Sequence, residues 1–328
     1  MIENRILSGM RPTGKLHIGH LSVLENWAKL QEDYKCFFMV ADWHALTTAY
    51  DNTDEIKQNR RDMALDWLSV GIDPERSVIF VQSEVKQHAE LHLLFSMNTP
   101  ISWLERCPTY KDQVAQLGKE GKDINTYGFL GYPLLQAADI LAYRADTVPV
   151  GEDQIPHLEM TREIARRFNH IYDTQVFPEP KAKLAKVSML PGLDGRKMSK
   201  SYGNIIEIGE TGKDLQGKVR QMTTDPNRIK KDDPGDPGVC VVNTYHGIYS
   251  EAGHVTELQE ACRRGEIGCV QCKKALTTNL SQFMDPIRTK RDELSQNSMI
   301  DDILAEGAKK AALEAEKTME IVRSAMKL

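Results

Sequence analysis

The chain has 328 residues, 41% of them hydrophobic and 27% charged, and a net charge of −5, which leaves ample apolar material for a buried core and excludes both a disordered chain and a global positive field for nucleic acid. No apolar run approaches the roughly 18 residues of a membrane span, and the opening MIENRILSG lacks the apolar stretch of a secretory leader, so a soluble, cytoplasmic protein is expected. Any nucleic-acid contact must then use a local basic patch.

Short β-rich runs at 4 to 8, 36 to 41 and 78 to 82 alternate with longer stretches of helical period, such as 54 to 70, where Ile56, Met63, Leu65 and Trp67 can share a buried side. Strand then helix, repeated, predicts an α/β fold: a Rossmann-like parallel sheet covered on both faces, with ligands at the carboxyl ends of its strands. The stretch from Gly9 to Gly19 follows the first strand and opens a helix expected over His20 to Gln31, where phosphate is welcome. His17 and His20, with Gly19 between them and a Pro12-Thr13-Gly14 turn before them, suit donation to phosphate oxygens; two surface histidines capping a turn are the plainer alternative. Cys36 and Cys107 read as small buried hydrophobes.

In Tyr132-Pro-Leu-Leu-Gln136-Ala-Ala-Asp139-Ile-Leu-Ala-Tyr143 the polar residues fall at i, i+4, i+7 and i+11, which places them on one helix face among Leu, Ala and Ile. A surface helix would carry Lys and Glu there, so the stripe predicts a partly buried, selective pocket. A strand from Thr147 to Val150 follows and ends at Gly151. Beyond it, Asp153 suits a ribose hydroxyl and Gln154 an amino-acid head group, unless Asp153 merely caps the next helix. Lys197 and Lys200 lie in a glycine-flanked loop that could swing a point charge onto a transferring phosphate, with an exposed basic loop as the plainer alternative.

After about residue 207 strand-like runs stop, DDPGDPG marks a loop, and amphipathic patterns continue to the end, so the expected division is an α/β domain at 1–206 and a C-terminal all-helical domain at 207–328. Over Ala311 to Met326, Leu313, Met319, Val322 and Met326 read as one stripe that docks on another surface. Cys240, Cys262, Cys269 and Cys272 give C-x21-C-x6-C-x2-C, four soft ligands that suit zinc or an iron–sulfur cluster, with four unliganded thiols as the third reading.

His17-Ile-Gly-His20 and Lys197-Met-Ser-Lys-Ser201, in this order and with YPLLQAADI, VPVGEDQ and Asp42-Trp-His44 around them, make the chain resemble the class I aminoacyl-tRNA synthetases over almost its whole length, and within them the bacterial tryptophanyl branch. The resemblance implies that ATP with Mg2+ activates L-tryptophan to tryptophanyl-adenylate, releasing pyrophosphate, and that the acyl group then passes to the 3′ end of tRNA(Trp) without a protein nucleophile. It implies that His17, Gly19 and His20 cradle adenine and the phosphates of ATP, that Lys197 and Lys200 bind the leaving pyrophosphate, and that Lys111 is a further phosphate-binding lysine. Met10, Arg11, Thr13, Gly151, Asp153, Met198, Ser199 and Ser201 would complete the ATP site, Arg11 standing where the family commonly has glutamine. Leu7, His44, Tyr132, Gln136, Asp139, Val148, Val150 and Gln154 would bind tryptophan, with Asp139 accepting the indole N–H.

Gln136 would equally suit a tyrosyl relative, whereas Leu7 cannot bond a phenol, and leaving a buried hydroxyl short of a partner costs on the order of 1 to 3 kcal/mol. A subset of the family carries a similar cysteine set around a 4Fe–4S cluster, which the resemblance implies for Cys240, Cys262, Cys269 and Cys272, zinc being the alternative. Arg263, Arg264, Lys273 and Lys274 interleave with them and offer charge to an anticodon. A homodimer is implied as well. A tyrosine-tRNA ligase, a nucleotidylyltransferase sharing the histidine signature, and a silent RNA-binding relative remain as other readings.

Overall fold

Strands β1 (Arg5–Met10), β2 (Lys35–Val40), β3 (Ser77–Val81), β4 (Thr147–Val150) and β5 (Lys181–Leu184) pair in parallel in the order β3-β2-β1-β4-β5. The computed structural model describes residues 4–107, 110, 111, 114, 125–184, 190–296 and 298–328, the side chain of Ser201 excepted. The registers Ile6↔Cys36, Cys36↔Ser77, Ile6↔Thr147 and Val148↔Ala182 leave the carboxyl ends of β1 and β4 side by side where the strand order reverses. A crevice forms at such a switch point, and ligands settle there.

The sequence explains the sheet. A parallel strand covered on both faces is apolar throughout, and Cys36 to Val40 are all buried. Successive side chains of β2 point to opposite faces: Phe38 stacks on Trp27 of α1 (Leu21–Leu30) at 4.6 Å, with Trp67 edge-on to that indole at 5.2 Å, whereas Phe37 stacks on Tyr143 at 4.5 Å. In α3 (Ile56–Val70) Met63, Leu65 and Trp67 are buried as expected, and Ile56 is only half-buried. β5 was not foreseen. Its sequence Lys-Ala-Lys-Leu is no apolar run, because it is an edge strand, and lysines on an edge discourage further pairing.

The chain divides into two compact units, one of Met1–Gly14, Val23–Val187 and Asn297–Leu328, the other of Lys15–Ser22 and Ser188–Gln296. The first holds the sheet with α2 (Asp42–Ala49), α4 (Gln87–Ser96), α5 (Ile101–Glu105), α6 (Tyr127–Leu130), α7 (Tyr132–Ala142) and α8 (Ile155–Ile171). It also holds the C-terminal helix, Met299–Met326, which lies along β3 so closely that a Cβ on Gly307 would collide with the Ile79 carbonyl. That helix buries Gly307, Ala311, Ala315, Met319 and Val322, but Leu313 is 67% exposed. The expected stripe is corrected at that point: six residues from Leu313 to Met319 turn a helix about 600°, roughly a third of a turn away from the buried face.

In the second unit, α9 (Gly212–Gln221), α10 (Val241–Tyr249), α11 (Ala252–Arg263) and α12 (Cys269–Ser295) pack around Leu215, Val219, Tyr245, Leu276 and Leu280. The segment 15–22 belongs there because Ile18 N–H donates to Ile206 at 2.9 Å, Ile208 N–H donates to Leu16 at 3.1 Å, and His17 pairs antiparallel with Glu207. The histidine signature and the lysine loop therefore share one unit.

Candidate active site

At the switch point of the sheet a cavity of about 350 Å³ opens between the ends of β1 and β4. Leu7, Met10 and Arg11 reach it from β1, Val148, Val150, Gly151 and Gln154 from β4 and beyond, Tyr132, Gln136 and Asp139 from α7, and His44 from α2. All eight residues expected to bind tryptophan line this one cavity. Thr13 and Lys111 are exposed and do not line it, nor does Asp153. The Asp153 side chain accepts a hydrogen bond from Gln154 Nε2 at 2.9 Å and makes no helix cap, and Gly151 gives it room: a Cβ there would sit 2.7 Å from its Oδ1.

The stripe on α7 needs one correction. Tyr143 ends the helix, fully buried, and faces away from the cavity onto His88. Asp139 is 1% exposed and is held by three side chains. His88 Nδ1 lies 2.6 Å from Oδ1, His44 Nε2 lies 2.7 Å from Oδ2, and Gln82 Nε2 donates to both oxygens at 2.8 and 3.0 Å. Burial alone would raise the carboxyl pKa, but the two imidazoles outweigh it and hold the group at about 2. His44 thus rests on the carboxylate in this structure rather than standing apart from it. Nearby, Tyr132 Oη lies 2.9 Å from Nε2 of the buried His157, whose Nδ1 is 3.5 Å from Cys107 Sγ.

Gln82, His88 and His157 were missed by sequence reasoning. Gln82 carried one signal, its place at the carboxyl end of a strand. Asp42, fully buried, accepts from the backbone of Trp43 and Ser83 at 3.0 Å each and pairs with Arg60 at 2.6 Å, so the acid of the Asp42-Trp-His44 block anchors backbone.

In the second unit, the rings of His17 and His20 lie tilted against each other with centroids 3.9 Å apart. Nδ1 of His20 lies 3.2 Å from both the N–H and the carbonyl oxygen of His17, and Nδ1 of His17 is buried without a partner. Burial, with help from the neighbouring imidazole and Lys200, holds His17 at about 3; burial and Lys200 hold His20 at about 4 against the bond to His17. Both are neutral donors at pH 7. Gly19 leaves room for the His17 ring, since a Cβ there would lie 3.0 Å from its Cε1 and Nδ1. The loop turns on Asn204, which accepts from Ser199 N–H at 2.8 Å and donates to Asp194 at 2.7 Å and to the Lys197 carbonyl at 3.1 Å. Met198 is buried while Lys197 and Lys200 are exposed, and the Ser201 side chain lies outside the described residues.

The four late cysteines sit at helix ends: Cys240 before α10, Cys262 in the last turn of α11, Cys269 and Cys272 in the first turn of α12. Arg228 Nη1 lies 3.7 Å from the sulfur of Cys262 and 3.9 Å from that of Cys269. Burial lifts the Cys272 thiol to about 12, and the other three sulfurs add to the push, so the four form one neighbourhood. Among the described residues no group of three or more His, Cys, Asp or Glu side chains is drawn together tightly enough to hold a single metal ion. Of the interleaved cations, Arg263 and Lys274 are exposed, Arg264 pairs with Glu260 and Glu266, and Lys273 donates to the carbonyls of Arg220 and Met222. The expected basic face is reduced accordingly.

The family described as tRNA synthetases class I (W and Y) matches residues 2–285. A tryptophan–tRNA ligase of Thermotoga maritima is 55% identical over 328 residues, covering 99% of each chain, and one of Aquifex aeolicus is 45% identical, covering 99% of this chain and 100% of its own. Among solved structures, tryptophanyl-tRNA synthetase from Campylobacter jejuni, complexed with ADP and tryptophane, superposes with a TM-score of 0.90 at 34% identity, covering 99% of this chain and 100% of that one.

Proposed function

The chain belongs to the class I tRNA synthetases of the tryptophan and tyrosine type, and on that premise we propose how its residues share the work. Its reaction is that of a tryptophan–tRNA ligase: L-tryptophan and ATP with Mg2+ give tryptophanyl-adenylate and pyrophosphate, and the acyl group then passes to tRNA(Trp). The observation that carries the amino-acid assignment is the ionised, buried Asp139 facing a cavity whose walls include Leu7, Val148 and Val150. An indole finds one acceptor and apolar walls. A phenol would find no hydroxyl beside Leu7.

In this reading Asp139 Oδ2 accepts the indole N–H, and Tyr132, Gln154 and His44 meet the ammonium and carboxylate of the amino acid. The tryptophan carboxylate attacks the α-phosphorus and the pyrophosphate oxygen leaves with the bonding pair, so no protein base is needed. What the step needs is positioned charge and donors. His17 and His20, neutral and part-buried, donate to phosphate oxygens, while Lys197, Lys200 and Lys111 offset the charge that develops on pyrophosphate. Met10, Arg11, Thr13, Gly19, Met198, Ser199 and Ser201 complete the nucleotide contacts, with Gly151 and Asp153 at the ribose. The test is amino-acid-dependent ATP/pyrophosphate exchange with tryptophan and tyrosine side by side. Exchange with tryptophan alone is expected; exchange with tyrosine would move the assignment to the other branch.

The four cysteines suit a 4Fe–4S cluster, with zinc as the alternative. The donors are all thiols, and a cubane spaces its ligand sulfurs more widely than a single ion does. Gly235 adds a hollow beside one of them, where a Cβ would stand 2.8 Å from Cys262 Sγ. Such a cluster would tie together the ends of α10, α11 and α12, a structural task beside an anticodon-binding surface. Anaerobically purified protein is expected to be coloured and to hold iron, and Cys269→Ser is expected to lose both; a colourless protein holding zinc would favour the alternative, and unchanged iron in the variant would remove Cys269 from the ligand set. A homodimer, a cytoplasmic location and a division of labour between an α/β catalytic part and a helical tRNA-binding part complete the proposal.

A further inference from the structure

The Asp139 carboxylate is asymmetric. Of the three side chains that hold it, only His44 lines the cavity; Gln82 and His88 are fully buried behind it. Oδ1 is taken by the fully buried His88 and Gln82, whereas Oδ2 is shared by Gln82 and the cavity-lining His44, so Oδ2 is the oxygen with a partner on the cavity wall. The proton positions behind it follow from chemistry. Burial and the nearby Asp139 push the Tyr143 hydroxyl well above its ordinary value, so it is a donor at neutral pH. An ionised carboxylate only accepts, so His88 Nδ1, 2.6 Å from Asp139, carries the proton, and Nε2 of the neutral ring accepts from the Tyr143 hydroxyl at 2.7 Å. Tyr143 is itself fixed, stacked on Phe37 at 4.5 Å and edge-on to Phe80 at 5.6 Å.

We propose that His88, oriented by Tyr143, is a positioning residue for amino-acid selectivity: it locks the Asp139 carboxylate in the rotamer that presents Oδ2 to a substrate N–H. The inference rests on the assignment of Asp139 to the indole N–H and deepens it. A carboxylate free to rotate about its Cβ–Cγ bond would still tolerate an indole, but it would discriminate poorly between a ring with N–H and one without, because selectivity of this kind comes from a preorganised polar group that is left unpaired by the wrong ligand.

The test compares tryptophan with the analogue in which benzothiophene replaces indole, so that sulfur stands in place of N–H, by ATP/pyrophosphate exchange. In the wild type the KM for the analogue should exceed that for tryptophan by about tenfold or more, the size of one charged hydrogen bond. His88→Ala should raise the tryptophan KM about tenfold and leave the KM values for the analogue and for ATP within about twofold, collapsing the selectivity ratio. His88→Asn, whose amide nitrogen can take the place of Nδ1, should recover most of the ratio. If His88→Ala does not fold, Tyr143→Phe reads the same ratio, which should fall about threefold as His88 loses its donor. An equal rise for both amino acids in either variant would make the network merely structural and overturn the proposal. Equal KM values in the wild type would overturn the Asp139 assignment and this inference with it.

Discussion

Two pairs of histidines, one buried and one part-buried, serve this chain in opposite ways. His44 and His88 end on the Asp139 carboxylate at 2.7 and 2.6 Å, so the fold itself supplies their anionic partner and the arrangement is complete without a ligand. His17 and His20 have each other and Lys200 as neighbours, and among the described residues no acid pairs with them. Burial keeps both rings neutral, each with a single N–H, and leaves one ring nitrogen without a partner. The first pair fixes an anion that belongs to the protein. The second is a set of neutral donors beside an ammonium, which is completed only when an anion arrives from outside, as a triphosphate does. On the proposed assignment, amino-acid recognition is thus built ahead of time, and phosphate recognition waits for its substrate.

The largest way to break that contrast is to remove the built-in anion. Asp139→Asn leaves one acceptor oxygen and turns an amide NH2 toward side chains that are themselves donors, so at least one of His44, His88 and Gln82 is stranded in a buried site. The tryptophan kcat/KM in pyrophosphate exchange is expected to fall about a thousandfold while the KM for ATP stays within about twofold. Losses shared equally between the two substrates would mean that Asp139 supports the fold and not the amino acid.

A smaller effect is expected on the other side. His20→Ala removes one neutral donor from a site that has others, which typically lowers kcat by about a hundredfold. Because this pair touches only the nucleotide in the proposed reading, the tryptophan KM should not move. A rise in that KM without a fall in kcat would place His20 with the amino acid and dissolve the contrast.

How much of this was legible beforehand follows the range of the signals. Local spacing carried the histidine signature, the lysine loop and the Tyr132, Gln136 and Asp139 face, because helix and turn geometry relate residues a few positions apart. Apolar runs carried the central strands, since burial on both faces leaves no polar positions. What held Asp139 was invisible: His88 and Gln82 lie 51 and 57 residues away, and nothing in Gln87-His88-Ala-Glu-Leu-His92 marks one imidazole as fully buried and the other as half-buried. Tyr143 had the right period for the pocket face but falls where the helix ends, and is turned behind the acid instead. Lys273 looked like presented charge because sequence cannot show that the carbonyls of Arg220 and Met222 claim it. The miss at Leu313 was one of arithmetic on a helix, and that at β5 came from an edge strand that advertises no core.

The contrast also predicts what acid does, and here the effect is smallest near neutrality. His17 and His20 are neutral in the fold, at about 3 and 4 against an ordinary 6.5, so between pH 6.5 and 4 the unfolded chain binds protons that the folded chain refuses. Stability is therefore undiminished above about pH 6.5 and falls as the pH drops below it. Asp139 works in the other window: held at about 2 against an ordinary 3.8, its contribution is present above 3.8 and is lost only toward 2. Melting temperature should then decline in two stages, the first beginning below pH 6.5, and His17→Gln should make the first shallower, His20 and the other histidines lowered by burial keeping part of it, without touching the second. Over pH 7 to 8, where neither group changes its charge, the KM for ATP should be level for these residues. A midpoint near 6.5 in the pH profile of that KM, absent from His17→Gln, would show that His17 is exposed enough to titrate and is not the neutral donor its burial makes it.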